Sequence, residues 1–126
     1  MGTVLNLCES SITTVFLDMD GTLVKHNYTP LETLDEYLPG TIELLTQLKN
    51  KEKFYCILTT GRAEIECIYV LEKIKKDLGF TFDRCLYLLP VGVRALVNDS
   101  KTTINKAQGF CIPRDQGPTE IIKHFL

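Results

Sequence analysis

The chain is 126 residues long, with 44% hydrophobic and 24% charged residues and a formal net charge of −2. That length bounds it to one domain, residues 1–126, with a modest core, and the balance is ordinary for a globular protein. The slight negative charge without a basic run argues against a nucleic-acid surface, and no segment has the length and apolarity of a membrane span or a signal peptide.

Residues 12–17 form a continuous apolar and β-branched run, the pattern of a central parallel strand covered on both faces. Directly after it stand Asp18, Met19, Asp20, Gly21 and Thr22. Two carboxylates one residue apart at the mouth of a buried strand are costly unless a cation neutralises them. In an open α/β sheet, ligands gather outside the carboxyl ends of the strands, where this pair would sit. Gly21 permits a sharp turn and close approach to a ligand, and Thr22 adds a hydroxyl. The set reads as a metal-assisted phosphoryl-transfer site, against the plainer reading of an acidic Asp-Gly turn.

Residues 25–39 are polar and interrupted by Pro30 and Pro39. They are too few for a domain and read as a flap beside the site, with Lys25, His26, Asn27 and Tyr28 as candidate substrate contacts. Pro39-Gly40-Thr41 opens a helix with Ile42, Leu45 and Leu48 on one face. Residues 54–58 make a second strand that closes on Thr59, Thr60, Gly61 and Arg62. A long amphipathic helix follows, its core face carrying Ala63, Cys67, Val70, Leu71, Ile74 and Leu78, its charges solvated, and Gly79 placed to cap it. Residues 85–88 read as a third strand, 94–98 as a fourth ending at Asp99, 103–108 as a short helix, and 110–112 as a fifth strand. Pro118-Thr119-Glu120 caps a terminal helix through Phe125. Strands alternating with helices predict a three-layer α/β/α sandwich with a mainly parallel sheet. Cys8, Cys56, Cys67, Cys85 and Cys111 lack paired spacing and read as thiols in a reducing compartment, which points to the cytoplasm.

The stretch Asp18-Met19-Asp20-Gly21-Thr22-Leu23-Val24 after a hydrophobic strand resembles the first motif of the haloacid dehalogenase superfamily of phosphatases, in a resemblance running from about Ile12 to Gly109. It implies a Rossmann-like α/β fold and a nucleophilic role for Asp18, which would form an aspartyl-phosphate and divide one hard step into two. Asp20 would protonate the leaving oxygen and then accept a proton from the attacking water. A carboxylate attacking a phosphate dianion meets repulsion of about 4 kcal/mol per pair of like charges about 4 Å apart, at an effective dielectric near 20. The resemblance therefore implies Mg2+ at an oxygen-only site, held by the Asp18 carboxylate, the Asp20 backbone carbonyl and the Asp99 carboxylate. Many members carry a second acid about four residues beyond, where this chain has Thr103.

The second motif of that family is a Ser or Thr at a strand end. Thr60 matches it better than Thr59, and its hydroxyl with the amides at Gly61 and Arg62 can bind a phosphate oxygen. Alone, Thr60 also reads as a helix N-cap, a role compatible with phosphate binding, and Arg62 is a candidate substrate contact whose plainer reading is an exposed arginine at a helix start. The third motif is a Lys or Arg that offsets phosphate charge, and it has no evident place. A parallel crossover takes a dozen or more residues, and there is no room for one between Leu89 and Arg94. Lys101 is the best-placed cation, since Arg94 would sit at the wrong end of a strand that points Asp99 into the site. Neither usual insertion point has space for a cap domain, so the site is open, screened by the 25–39 flap or by a homo-oligomeric neighbour. The expectation is a cap-less, magnesium-dependent phosphomonoester hydrolase of a small substrate, a sugar phosphate or nucleotide. A phosphatase of a macromolecular substrate and a degenerate binding module that keeps the fold are the rivals.

Overall fold

The computed structural model describes residues 11–26, 37–101, 104–105 and 107–126. Three parallel strands, β1 (Thr13–Asp18), β2 (Phe54–Thr59) and β3 (Arg84–Leu86), form a sheet in the order β1-β2-β3. Helix α1 (Thr41–Leu48) connects β1 to β2, and α2 (Glu64–Leu78) connects β2 to β3. This is an α/β domain of the Rossmann type, as the alternation of patterns implied.

Both helices press on one face of the sheet. Val15 and Leu17 of β1, Phe54, Cys56 and Leu58 of β2, Leu44, Leu45 and Leu48 of α1, and Cys67, Val70 and Ile74 of α2 share one buried cluster. Two crossovers of the same hand that step in the same direction place their helices on the same side. In α1 the buried residues are Thr41, Leu44, Leu45 and Leu48, while Ile42 is exposed, so the apolar stripe lies one residue round from the expected one. In α2 Cys67, Val70 and Ile74 are buried with Leu71 and Leu78 against them. Gly79 caps it at φ 66°, its N–H donating to the Lys75 carbonyl, the left-handed residue that closes many helices.

Burial of β1 alternates. Val15 and Leu17 face the core, whereas Thr14 and Phe16 face solvent, Phe16 at 48% exposure. β1 is thus covered on one face, and among the described residues it is an edge strand with β2 at the centre, a correction to the doubly covered centre expected of residues 12–17. The Cys56 and Cys67 thiols are buried and unpaired, each pushed up to about 11 by burial. Cys85 is half-buried and Cys111 exposed.

After β3 the expected elements give way. The Leu88 N–H donates to the Arg62 carbonyl and the Leu89 N–H to the Thr60 carbonyl, so the chain stays at the carboxyl end of the sheet. With no length for a crossover, residues 94–98 do not form the fourth strand and lie exposed. Instead β4 (Ser100–Lys101) pairs antiparallel with β5 (Ile104–Asn105), in place of the short helix expected at 103–108. Residues 110–112 are not a strand either. Phe110 stacks against His124 and Phe125, with ring centroids 4.7 and 6.0 Å apart. The terminal helix is present as a 3₁₀ helix, Thr119–Phe125, which packs on α1 and brings Phe125 to Phe54 at 5.8 Å. Most of the 25–39 flap, residues 27–36 with Asn27 and Tyr28 among them, lies outside the described residues, as does Cys8. Among the described residues no helix is long and apolar enough to cross a membrane.

The loop before the terminal helix is fixed by close backbone approach. Gly117 has φ 85°, and a Cβ built there would lie 2.1 Å from the Pro39 carbonyl oxygen. A left-handed residue with a side chain costs about 1–2 kcal/mol, and the collision with Pro39 adds to it. Gly117→Ala is expected to destabilise the fold by at least about 2 kcal/mol, read as a lower midpoint in urea denaturation.

Candidate functional site

The acidic turn is shaped by what it buries. Met19, Leu23 and Val24 are at most 1% exposed, so the Asp20 and Thr22 side chains between them turn outward. The Met19 carbonyl accepts from the N–H groups of Thr22, Leu23 and Val24, at 3.3, 2.9 and 3.1 Å. Gly21, at φ 80°, supplies the left-handed step, and its N–H donates to the Val24 carbonyl at 2.6 Å. Leu23 is then locked to α1, its carbonyl accepting from the Thr41 hydroxyl and the Leu38 N–H.

Asp18 ends β1 in register with Thr59 of β2 and is exposed. The Thr22 hydroxyl donates to its Oδ2 at 3.0 Å. Its pKa is raised above the ordinary 3.8, chiefly by partial loss of water around the carboxyl and further by the neighbouring Asp20 charge. The Thr22 and Met19 hydrogen bonds and the positive charge of Arg94 pull the other way without overcoming it. Arg94 therefore acts on Asp18, contrary to the expectation that it sits at the far end of a strand, because no strand forms there. The Lys101 side chain lies outside the described part, and so does any test of it against Arg94.

Asp20 faces α2. Arg62 grips its carboxylate with two donors, Nε to Oδ2 at 2.9 Å and Nη2 to Oδ1 at 2.5 Å, the two-pronged geometry of a guanidinium on a carboxylate. The Arg62 side chain is only 11% exposed, so it is not the free arginine at a helix start. Burial works against its charge, yet the bonds to Asp20 leave its pKa raised. Its Nη1 donates to the Glu66 carbonyl of α2, its N–H to the Thr60 hydroxyl at 3.1 Å, and its carbonyl accepts from Leu88. The Thr60 hydroxyl, buried at 1% exposure, thus closes the turn that leads to α2 rather than capping the helix, whose N-cap is Ala63, while the Thr59 hydroxyl donates to the Leu17 carbonyl. Gly61 is exposed, with Leu89 O 3.4 Å from where a Cβ would be.

One contributor was not anticipated from the sequence. The loop at 113–117 closes over the acidic turn: the Asp115 N–H donates to the Gly21 carbonyl, the His26 N–H donates to Asp115 Oδ1 at 2.6 Å, and the Arg114 stem lies 3.2 Å from a Gly21 Cβ position. Asp115 itself takes φ 64°. Its sequence, Pro113-Arg114-Asp115-Gln116-Gly117, is a turn pattern, but nothing in it says which turn it covers.

The donors that would hold a metal are Asp18 and the backbone oxygen of Asp20, both of the hard oxygen type that magnesium takes while keeping several waters. Asp99 is exposed in the stretch before β4, and among the described residues no three His, Cys, Asp or Glu side chains gather in a metal-holding group. The turn alone fits magnesium held by one carboxylate, one carbonyl and water.

A parallel α/β sheet with an acid pair and a threonine at adjacent strand ends defines a hydrolase-like architecture that works at the carboxyl edge of the sheet. Residues 15–83, more than half of the chain, match the family described as haloacid dehalogenase-like hydrolase, and the chain belongs to that family. No curated protein and no solved structure matches it.

The raised pKa of Asp18 has a consequence for stability. The native state holds this proton more tightly than the unfolded chain, so stability falls as pH rises above 3.8 through the native value and stays reduced beyond it. Asp18→Asn is expected to raise the melting temperature at neutral pH, and the gain should vanish below pH 3.8. Melts of both proteins across that range check it.

Proposed function

We propose that this hydrolase is a magnesium-dependent phosphomonoester phosphatase that works through an aspartyl-phosphate on Asp18. The observation that supports it best is the placement of Asp18, a carboxylate at the open end of β1, exposed to an incoming group and fixed by the Thr22 hydroxyl. The Asp18 oxygen attacks phosphorus as the ester P–O bond breaks. Asp20 delivers a proton to the leaving oxygen. Water then attacks the aspartyl-phosphate, giving its proton to Asp20, and inorganic phosphate leaves with Asp18 regenerated. Thr60 and Gly61, with Gly21 and Thr22, line the approach of the phosphate oxygens. Asp18 and the Asp20 carbonyl would hold magnesium, with Asp99 as the further ligand the family resemblance implies, and the ion would supply positive charge that offsets the repulsion between nucleophile and phosphate.

The substrate class is a small phosphorylated molecule, a sugar phosphate or nucleotide, taken up without nucleic acid or membrane in the cytoplasm. Residues 25–39 or a second subunit would shield the site. A second reading, a phosphate-binding module without turnover, is favoured by one observation, the Arg62 grip that occupies both oxygens of Asp20.

Hydrolysis of an aryl phosphate separates the two. Turnover that requires magnesium, stops with chelator and falls by about a thousandfold or more in Asp18→Asn is expected, as for loss of a nucleophile. A folded protein that binds phosphate and magnesium without turnover would establish the binding module, and activity that survives in Asp18→Asn would end the mechanism.

A further inference from the structure

The Arg62 guanidinium meets Asp20 through two donors and is nearly withdrawn from solvent. Its other bonds are structural: Nη1 to the first turn of α2, the N–H to the Thr60 hydroxyl, and the carbonyl to the chain leaving β3. The main-chain bonds fix the root of the side chain and the Nη1 bond fixes one side of the planar head, so the Nε–Nη2 edge stays presented in one direction, and Asp20 occupies it. A guanidinium edge that fits a carboxylate also fits two oxygens of a phosphate, with equal planarity and stronger charge. Asp20 stands two residues from Asp18 on the same turn, and its charge acts on the Asp18 carboxyl, so the edge that holds Asp20 borders the space a phosphate on Asp18 would enter.

We propose that Arg62 is the phosphate-binding cation of the site and that Asp20 holds it as an exchangeable placeholder. When phosphate enters, the Nε and Nη2 donors pass from the Asp20 oxygens to phosphate oxygens, and the Asp20 carboxylate is released to work on the leaving group. No bond is made or broken and no proton moves in this exchange; two hydrogen bonds change acceptor. The two functions of the pair are thereby ordered, because Asp20 becomes free only where a phosphate is already bound. This rests on the reading of the site as one that receives a phosphate.

Competition of this kind has a signature that a purely structural ion pair lacks. The probe is inorganic phosphate, its binding measured by titration calorimetry in magnesium buffer. Asp20→Asn, which removes the rival charge while keeping shape, is expected to tighten binding about fivefold or more. Arg62→Gln is expected to weaken it about tenfold or more, with Arg62→Lys between, since lysine keeps the charge but not the two-donor edge. In the double variant Asp20→Asn should no longer tighten binding. Equal tightening with and without Arg62 would reduce the effect to general charge repulsion and overturn the proposal, as would unchanged affinity in Arg62→Gln. Circular dichroism checks that each variant folds; if Arg62→Gln does not, Arg62→Lys alone with and without Asp20→Asn carries the same cycle. The expected pattern in a protein that never turns over aryl phosphate would keep the exchange and discard catalysis. Turnover with phosphate affinity indifferent to Arg62 would do the reverse.

Discussion

Everything at this site depends on the burial of Met19, Leu23 and Val24. Three apolar side chains leave the end of β1 and re-enter the core within six residues, and the only way to satisfy the intervening backbone is to wrap it round the Met19 carbonyl. The acids and Thr22 face outward because their neighbours face inward. Hydrophobic burial at about 25 cal/mol per Å² thus holds a pair of like charges at a spacing that electrostatics alone would widen. The pKa of Asp18 is raised chiefly because the same burial strips water from its carboxyl, with the Asp20 charge adding to the effect.

Around this turn three separate parts of the chain converge. β2 contributes the Thr59–Thr60 end, α2 and its approach contribute Arg62, and the loop before the terminal 3₁₀ helix contributes Arg114 and Asp115. The result is a net-acidic protein whose acidic turn has an arginine paired with one of its two acids. Such local placement governs attraction of an anionic ligand more than total charge does.

The first half of the fold was legible in the sequence because its signals were local and strong. A β-branched run, a glycine at Gly79 and a 3.6-residue stripe on α2 each specify their own element. The acidic motif was legible for the same reason, since its residues are contiguous. What failed depends on distant partners. Residues 94–98 have the composition of a strand, but a strand needs a neighbour, and the tether of Leu88 and Leu89 to Arg62 and Thr60 leaves the chain at the wrong end of the sheet to reach one in parallel. Phe110 reads as strand and is instead packed on the terminal helix. Arg62 looked like a solvated helix-start residue because the acid that recruits it lies 42 positions away.

The pairing of Asp18 with Thr59 couples chemistry to folding in a way that makes errors self-eliminating. Side chains on a strand alternate with period two, so a slip of one residue between β1 and β2 would carry Val15 and Leu17 into water and Asp18 into the helix-covered core. A conformer with Asp18 misplaced is therefore also one without a hydrophobic face. It would not persist as a stable competitor, and a population of this protein that is folded is, by the same token, a population in correct register.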